Sequence, residues 1–109
     1  MRNPAYLSAV RNMPCCACEN LGEIQRHRTE AHHFIGLGGT FDGFTIKGGG
    51  LAMKSPDREA IPLCGRHHLQ GNYGEAIHAG VERWQYMQDK MQWEFVKETQ
   101  EALGWVPPG

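Results

Sequence analysis

Two short metal-ligand spacings, set far apart in the chain, constrain this sequence more than anything else in it. Cys15-Cys16-Ala17-Cys18 contains Cys-x-x-Cys, and Ile61-Pro62-Leu63-Cys64-Gly65-Arg66-His67-His68 ends an apolar run in Cys-x-x-His followed by a second histidine. Thiolate and neutral imidazole are the best side-chain ligands for zinc, and either spacing lets one turn clasp one ion. Neighbouring helical positions point about 100° apart. Cys64 and His67 can therefore face one metal while His68 faces a different place. A second doublet, His32-His33, lies between the two half-sites. The pattern reads as two sites built back to back, one structural and one chemical.

A cysteine cluster can also be a coincidence or a redox pair. A redox Cys-x-x-Cys opens a helix inside a βαβ pattern, whereas the residues after Cys18 read as polar loop and a matching half-site exists downstream. Zinc is the preferred reading, with Cys16 as a spare, small packed residue. A metal joining distant segments suits a chain of 109 residues with 14 glycines. Short chains bury a lower fraction of their surface, and metal binding free energy becomes folding free energy. No run is long and apolar enough to span a membrane, and the N-terminus lacks the apolar region of a signal peptide. The expectation is one domain over 1–109, in a reducing cytosol, with no membrane contact.

The net charge of −1 is a poor match to a nucleic-acid partner. It is unevenly spread, however. Residues 1–70 hold eight Lys/Arg against six Asp/Glu, and residues 71–109 hold three against six, giving +2 and −3. A DNA-facing surface should lie in the first part.

Asn3-Pro4 predicts a helix, with Asn as N-cap and Pro at the first helical position. Tyr6, Leu7 and Val10 share a face, and the helix should stop before Pro14. Arg26 to Ile35 reads as a strand carrying His32 and His33 to opposite faces, with Arg26, His27 and Arg28 solvated or touching phosphates. Residues 36–58 hold seven glycines and read as a long, mobile loop. Lys47, Lys54 and Arg58 give that loop a basic face suited to phosphate. A second strand over Ala60–Leu63, antiparallel to the first if the glycine loop is their hairpin, leads into a helix with His67 and His68 that Gly71 ends. Asn72-Tyr73-Gly74 is a turn. From Val81, the apolar positions Trp84, Met87, Met91, Phe95 and Ala102 predict one long helix, or two that break near Gln88-Asp89, with the stripe as core. Gly104 ends it, before a Pro107-Pro108 tail.

Strand, loop, strand, helix, with His-His on the first strand and histidine on the helix, resembles the ββα-metal (HNH, His-Me finger) nuclease fold. The likeness is nearer still to phage and prophage recombination-enhancement nucleases of the Ref type and related prophage families. It runs through Pro14-Cys15-x-x-Cys18, Ala31-His32-His33-Phe34-Ile35-Gly36 and Gly50-Leu51-x-x-Lys54-Ser55-Pro56-Asp57-Arg58. It continues through Ile61-Pro62-Leu63-Cys64-x-x-His67-His68 and Ile77-His78-Ala79-Gly80 to Glu82-Arg83-Trp84, so that it covers most of residues 13–104.

The resemblance implies an α+β fold: a small zinc-stabilised ββα-metal domain with a core about 13–80, flanked by an N-terminal helix and a C-terminal helical part about 81–104. It implies Cys15, Cys18, Cys64 and His67 as structural zinc ligands. His33 is then the general base, and His32, His68 and His78 hold a catalytic divalent cation (magnesium, manganese, nickel or zinc), with Asn72 in reserve as third ligand. The implied activity is that of an endodeoxyribonuclease or nickase in a bacterial cytoplasm, with DNA as partner and a recombinase or other phage recombination protein as a second. Lys47, Lys54, Arg58 and Arg66 are the candidate DNA contacts. The asparagine of the family's pattern is absent; its place falls at about Glu59, with Asp57 nearby, which leaves the orientation of His33 open. The competing reading is a zinc-stabilised DNA- or protein-binding module without catalysis, an accessory to recombination.

Overall fold

In the computed structural model, which describes residues 2–49, 54–71 and 75–105, the two metal spacings sit at the ends of short elements that fold against each other. Helix α1, Pro4–Arg11, starts as its sequence dictates: Asn3 Oδ1 accepts the Tyr6 N–H at 3.1 Å and Pro4 opens the first turn. Tyr6 and Val10 are its buried face. Helix α2, Cys16–Leu21, is capped by the Cys15 sulfur, which accepts the Cys18 N–H at 3.4 Å, and is closed by Gly22 at φ +69°. The segment expected to be polar loop is therefore helical. Its six residues are too few to show a periodic stripe, and its stop signal, Gly22, was its clearest mark.

Strands β1, Thr29–His32, and β4, Ile61–Cys64, form an antiparallel pair in which Thr29 faces Cys64 and His32 faces Ile61. β1 is shorter than the expected Arg26–Ile35, because Arg26, His27 and Arg28 are exposed and have no partner strand. The apolar run of β4 is buried at all four positions, which fixes its register against the core.

The stretch expected to be one mobile loop holds a second antiparallel pair, β2, Leu37–Phe41, and β3, Phe44–Gly48. Asp42 and Gly43 turn it with φ +50° and +82°. Two successive positive φ values are the signature of a tight hairpin, and Asp-Gly is the residue pair that tolerates them. Phe41 and Phe44 stack on Trp93 at ring distances of 5.8 and 6.4 Å, laying the hairpin on the C-terminal helix. Buried Glu59 accepts the N–H groups of Lys47 (2.6 Å) and Gly48 (2.9 Å), which ties the hairpin to the turn before β4.

After β4 comes a single π-helical turn, Arg66–Gln70, then a 3₁₀ turn, Ile77–Ala79. The C-terminal part is two helices, α3 (Val81–Gln88) and α4 (Gln92–Leu103), broken at Asp89 with φ +53°. Trp84 and Phe95 are buried with rings 5.1 Å apart, but Met87 and Met91 are about half exposed and Ala102 is exposed. The expected core stripe fails at these positions because the break resets the helical phase, and Gln88, Gln92, Val96 and Thr99 take the buried places. The described residues form an α+β fold of helices and two small antiparallel sheets. No helix among the described residues is long and apolar enough to cross a membrane.

Candidate metal centre and active site

The α2 cap and the end of β4 bring three sulfurs together. The Sγ atoms of Cys15, Cys18 and Cys64 all lie within 4.8 Å of one another, and all three residues are buried. Cys18 and Cys64 sulfurs are 3.7 Å apart. That is far beyond a disulfide bond of about 2.05 Å. It matches the edge of a tetrahedron with metal–sulfur bonds of about 2.3 Å, which is about 3.8 Å. Burial pushes the Cys15 and Cys18 thiols up, and the neighbouring sulfurs push the same way. Ionised sulfur here therefore needs a cation beside it. The cluster could hold a metal such as zinc. Cys16 packs on the core, apart from this cluster.

His67 reaches this cluster through Cys18. It is buried, its Nδ1–H donates to the Glu75 carbonyl at 3.1 Å, and its Nε2 shares a 4.8 Å group with the Cys18 sulfur and a Glu23 oxygen. That tautomer leaves Nε2 as the nitrogen with the lone pair, at 3.2 Å from Arg66 Nη2 and 3.1 Å from a Glu23 oxygen. Glu23, just past the Gly22 cap, is a potential metal donor that no motif or spacing marks. It also pairs with Arg66, which lies 3.6 Å from Glu75. Arg66, an expected phosphate contact, is thus engaged by two carboxylates beside the sulfur cluster.

On the π-helical turn, whose Gly71 N–H closes on the Arg66 carbonyl at 2.8 Å, His68 points away from the sulfurs. Its ring lies 5.1 Å from that of His32 and 4.8 Å from that of His78, and His32 and His78 are 5.3 Å apart. One ring nitrogen of each falls within 4.8 Å of the others. His32, at the end of β1, is buried; its Nε2 is 3.0 Å from the Gln92 side-chain oxygen, and its Nδ1 has no partner among the described residues. The His68 Nδ1 is 2.7 Å from a Glu30 carboxylate oxygen, which turns Nε2 inward. Burial, with the His68 and His78 rings adding to it, lowers the His32 pKa to about 3; burial and His68 lower that of His78. Both rings are held neutral, with lone pairs available to a cation. The orphaned Nδ1 of His32 and the three-imidazole donor set fit a divalent ion. Asn72 lies outside the described residues.

His33 turns to the other side of the strand end. Its Nε2 lies 2.8 Å from Asp57 Oδ1, and the other Asp57 oxygen accepts the Asn3 N–H at 2.6 Å. Burial would raise the Asp57 pKa, but the Asn3 N–H and His33 outweigh it and hold the carboxylate below its usual range. Asp57, not Glu59, is the carboxylate within hydrogen-bond distance of His33, and Glu59 is spent on the hairpin. His33, His68 and His78 share a cleft of about 510 Å³ with Lys54, Phe34 and Leu69. Of the other expected phosphate contacts, Lys47 is exposed on β3 and Arg58 lies 5.5 Å over the Trp105 ring. Gln92 is the contributor that sequence reasoning missed, because a glutamine at a helix start carries no metal or catalytic signal. Comparison with protein-family models, with curated proteins and with solved structures finds no match.

Proposed function

We propose that the protein is a metal-dependent DNA endonuclease or nickase of the ββα-metal (HNH) class. The reading rests on one observation: three imidazoles converge, and two of them, His68 and His78, line the same cleft as His33, whose ring pairs with Asp57. A divalent cation held by His32, His68 and His78 would supply Lewis-acid polarisation of a phosphate oxygen and stabilise the leaving 3′ oxygen. Magnesium, manganese, nickel and zinc are all candidates, with imidazoles favouring the softer ions.

The chain's own residues account for the remaining chemistry. Asp57 accepts the His33 Nε2 proton, which leaves Nδ1 as the basic nitrogen. That atom removes a proton from water for in-line attack at phosphorus. Lys54, exposed at the cleft, supplies positive charge for a DNA phosphate. Behind the cleft, Cys15, Cys18, Cys64 and His67 are structural zinc ligands, and they hold the π-helical turn that carries His68. DNA is the proposed partner, with a recombinase as a further one, in a bacterial cytoplasm.

The test is conversion of supercoiled plasmid with and without added divalent metal, for wild type and His33→Ala. The expected result is cutting only with metal, lost in the variant while the fold survives. Cutting by His33→Ala at the wild-type rate would remove His33 as the base. A specific observation favours the second reading, a non-catalytic zinc-stabilised module: a net charge of −1, with Arg66 neutralised by two carboxylates, leaves little long-range pull on DNA. One tight zinc per chain, no second cation site and no cutting would favour that module.

A further inference from the structure

The geometry points to Gln92 as a positioning residue for the cation site, which makes α4 a working part of the cleft rather than a packing appendage. The inference rests on the proposed reading of His32 as a cation ligand. Gln92 is buried at the first turn of α4, and four hydrogen bonds converge on it. Its backbone N–H donates to Gln85 Oε1 at 2.7 Å, which ties it across the break between α3 and α4. Its side-chain amide makes a reciprocal pair with the backbone of Ile35: the Ile35 N–H donates to Oε1 at 3.0 Å, and Nε2 donates to the Ile35 carbonyl at 3.0 Å.

That pair decides which end of the amide is oxygen, because a flipped amide would set N–H against N–H and oxygen against oxygen. With Oε1 so fixed, the His32 Nε2 at 3.0 Å must carry the proton and donate. Nδ1 is then the atom with the lone pair, and it is buried without a partner among the described residues. Imidazole in water samples both tautomers, and only this one offers Nδ1 to a cation. The same amide holds Ile35, a wall of the cleft, by its backbone. Partners of this kind fix the tautomer and ring orientation of metal-binding histidines.

The experiment uses the zinc-loaded full chain, heteronuclear NMR of the imidazole nitrogens and calorimetric titration with Ni²⁺. Wild type should show His32 as a single Nε2–H tautomer. Gln92→Met, similar in size but without the acceptor, should show mixed tautomers and bind Ni²⁺ about 10- to 100-fold more weakly. Gln92→Glu keeps an acceptor for both His32 and the Ile35 N–H, although its second oxygen then faces the Ile35 carbonyl, so its tautomer should stay Nε2–H and its Ni²⁺ affinity should lie well above that of Gln92→Met. A merely structural glutamine would lower the melting temperature in both variants without this split. Wild-type tautomer or Ni²⁺ affinity in Gln92→Met overturns the positioning role alone. Wild type that binds no Ni²⁺ beyond the sulfur site overturns the cation-site reading, and the positioning role with it.

Discussion

The His33 Nε2 sits 2.8 Å from Asp57 Oδ1, and the second oxygen of the same carboxylate is anchored by the Asn3 N–H at 2.6 Å. An aspartate from the turn before β4, steadied by the residue that caps α1, thus selects which nitrogen of His33 is basic. Asp57→Asn should therefore act on the reaction more than on the fold. An asparagine side chain offers an N–H where Asp57 accepts one, which favours the tautomer with its proton on Nδ1. Plasmid-cutting rates should fall about 10²-fold or more, within the range assigned to general-base catalysis. Zinc content should be unchanged. Wild-type rates in this variant would mean that Asp57 does not orient the base.

The sulfur cluster should behave as a folding element. Cys64→Ser removes the ligand that joins β4 to the α2 knuckle, and structural zinc sites contribute folding energy outright. A loss of about 3 kcal/mol would be a large part of the stability of a small domain and would lower Tm by at least about 10 °C. Circular dichroism melts of the variant, and of wild type with a strong chelator, should show the same loss. A chelated wild type that melts unchanged would show that the three sulfurs hold no ion of structural consequence.

Much of this arrangement was legible in the sequence, because ligand spacing survives errors in secondary structure. Cys15, Cys18 and Cys64 meet whether the residues after Cys18 are loop or helix, and the two-sided reading of His67-His68 needed only that adjacent side chains diverge. The hairpin was missed although Phe41-Asp42-Gly43-Phe44 carries its turn signal, because the count of glycines outweighed that pair. Gln92 and Glu23 were not legible at all. Their roles come from what the fold brings against them across 60 residues for Gln92–His32 and 44 for Glu23–His67. A one-dimensional pattern does not carry that.

Glu30 should tune the cation site from outside it. Its oxygen lies 2.7 Å from His68 Nδ1, and carboxylate partners of this kind orient the ring and raise its basicity. Glu30→Ala should weaken Ni²⁺ or Mn²⁺ binding about tenfold, with little effect on stability because the carboxylate is partly exposed. Titration of zinc-loaded protein measures it. Unchanged affinity would place His68 outside the cation site.

His32 gives stability a pH dependence with a definite sign. Burial holds its folded pKa at about 3, against 6.5 for the free side chain. Between those values the unfolded chain binds a proton that the folded protein excludes. Its contribution is therefore complete above about pH 6.5 and shrinks as pH falls towards about 3, by no more than about 1.4 kcal/mol per pH unit. His78, also lowered, acts in the same direction. Other groups that titrate in this range blur the effect in wild type alone, so the comparison is with His32→Asn, which keeps them and lacks this imidazole. Urea unfolding midpoints, measured without the second cation between about pH 7 and about pH 5, should fall more steeply for wild type than for the variant. Equal slopes would mean that His32 is not held neutral by its surroundings, and the orphaned Nδ1 would lose its significance as a ligand.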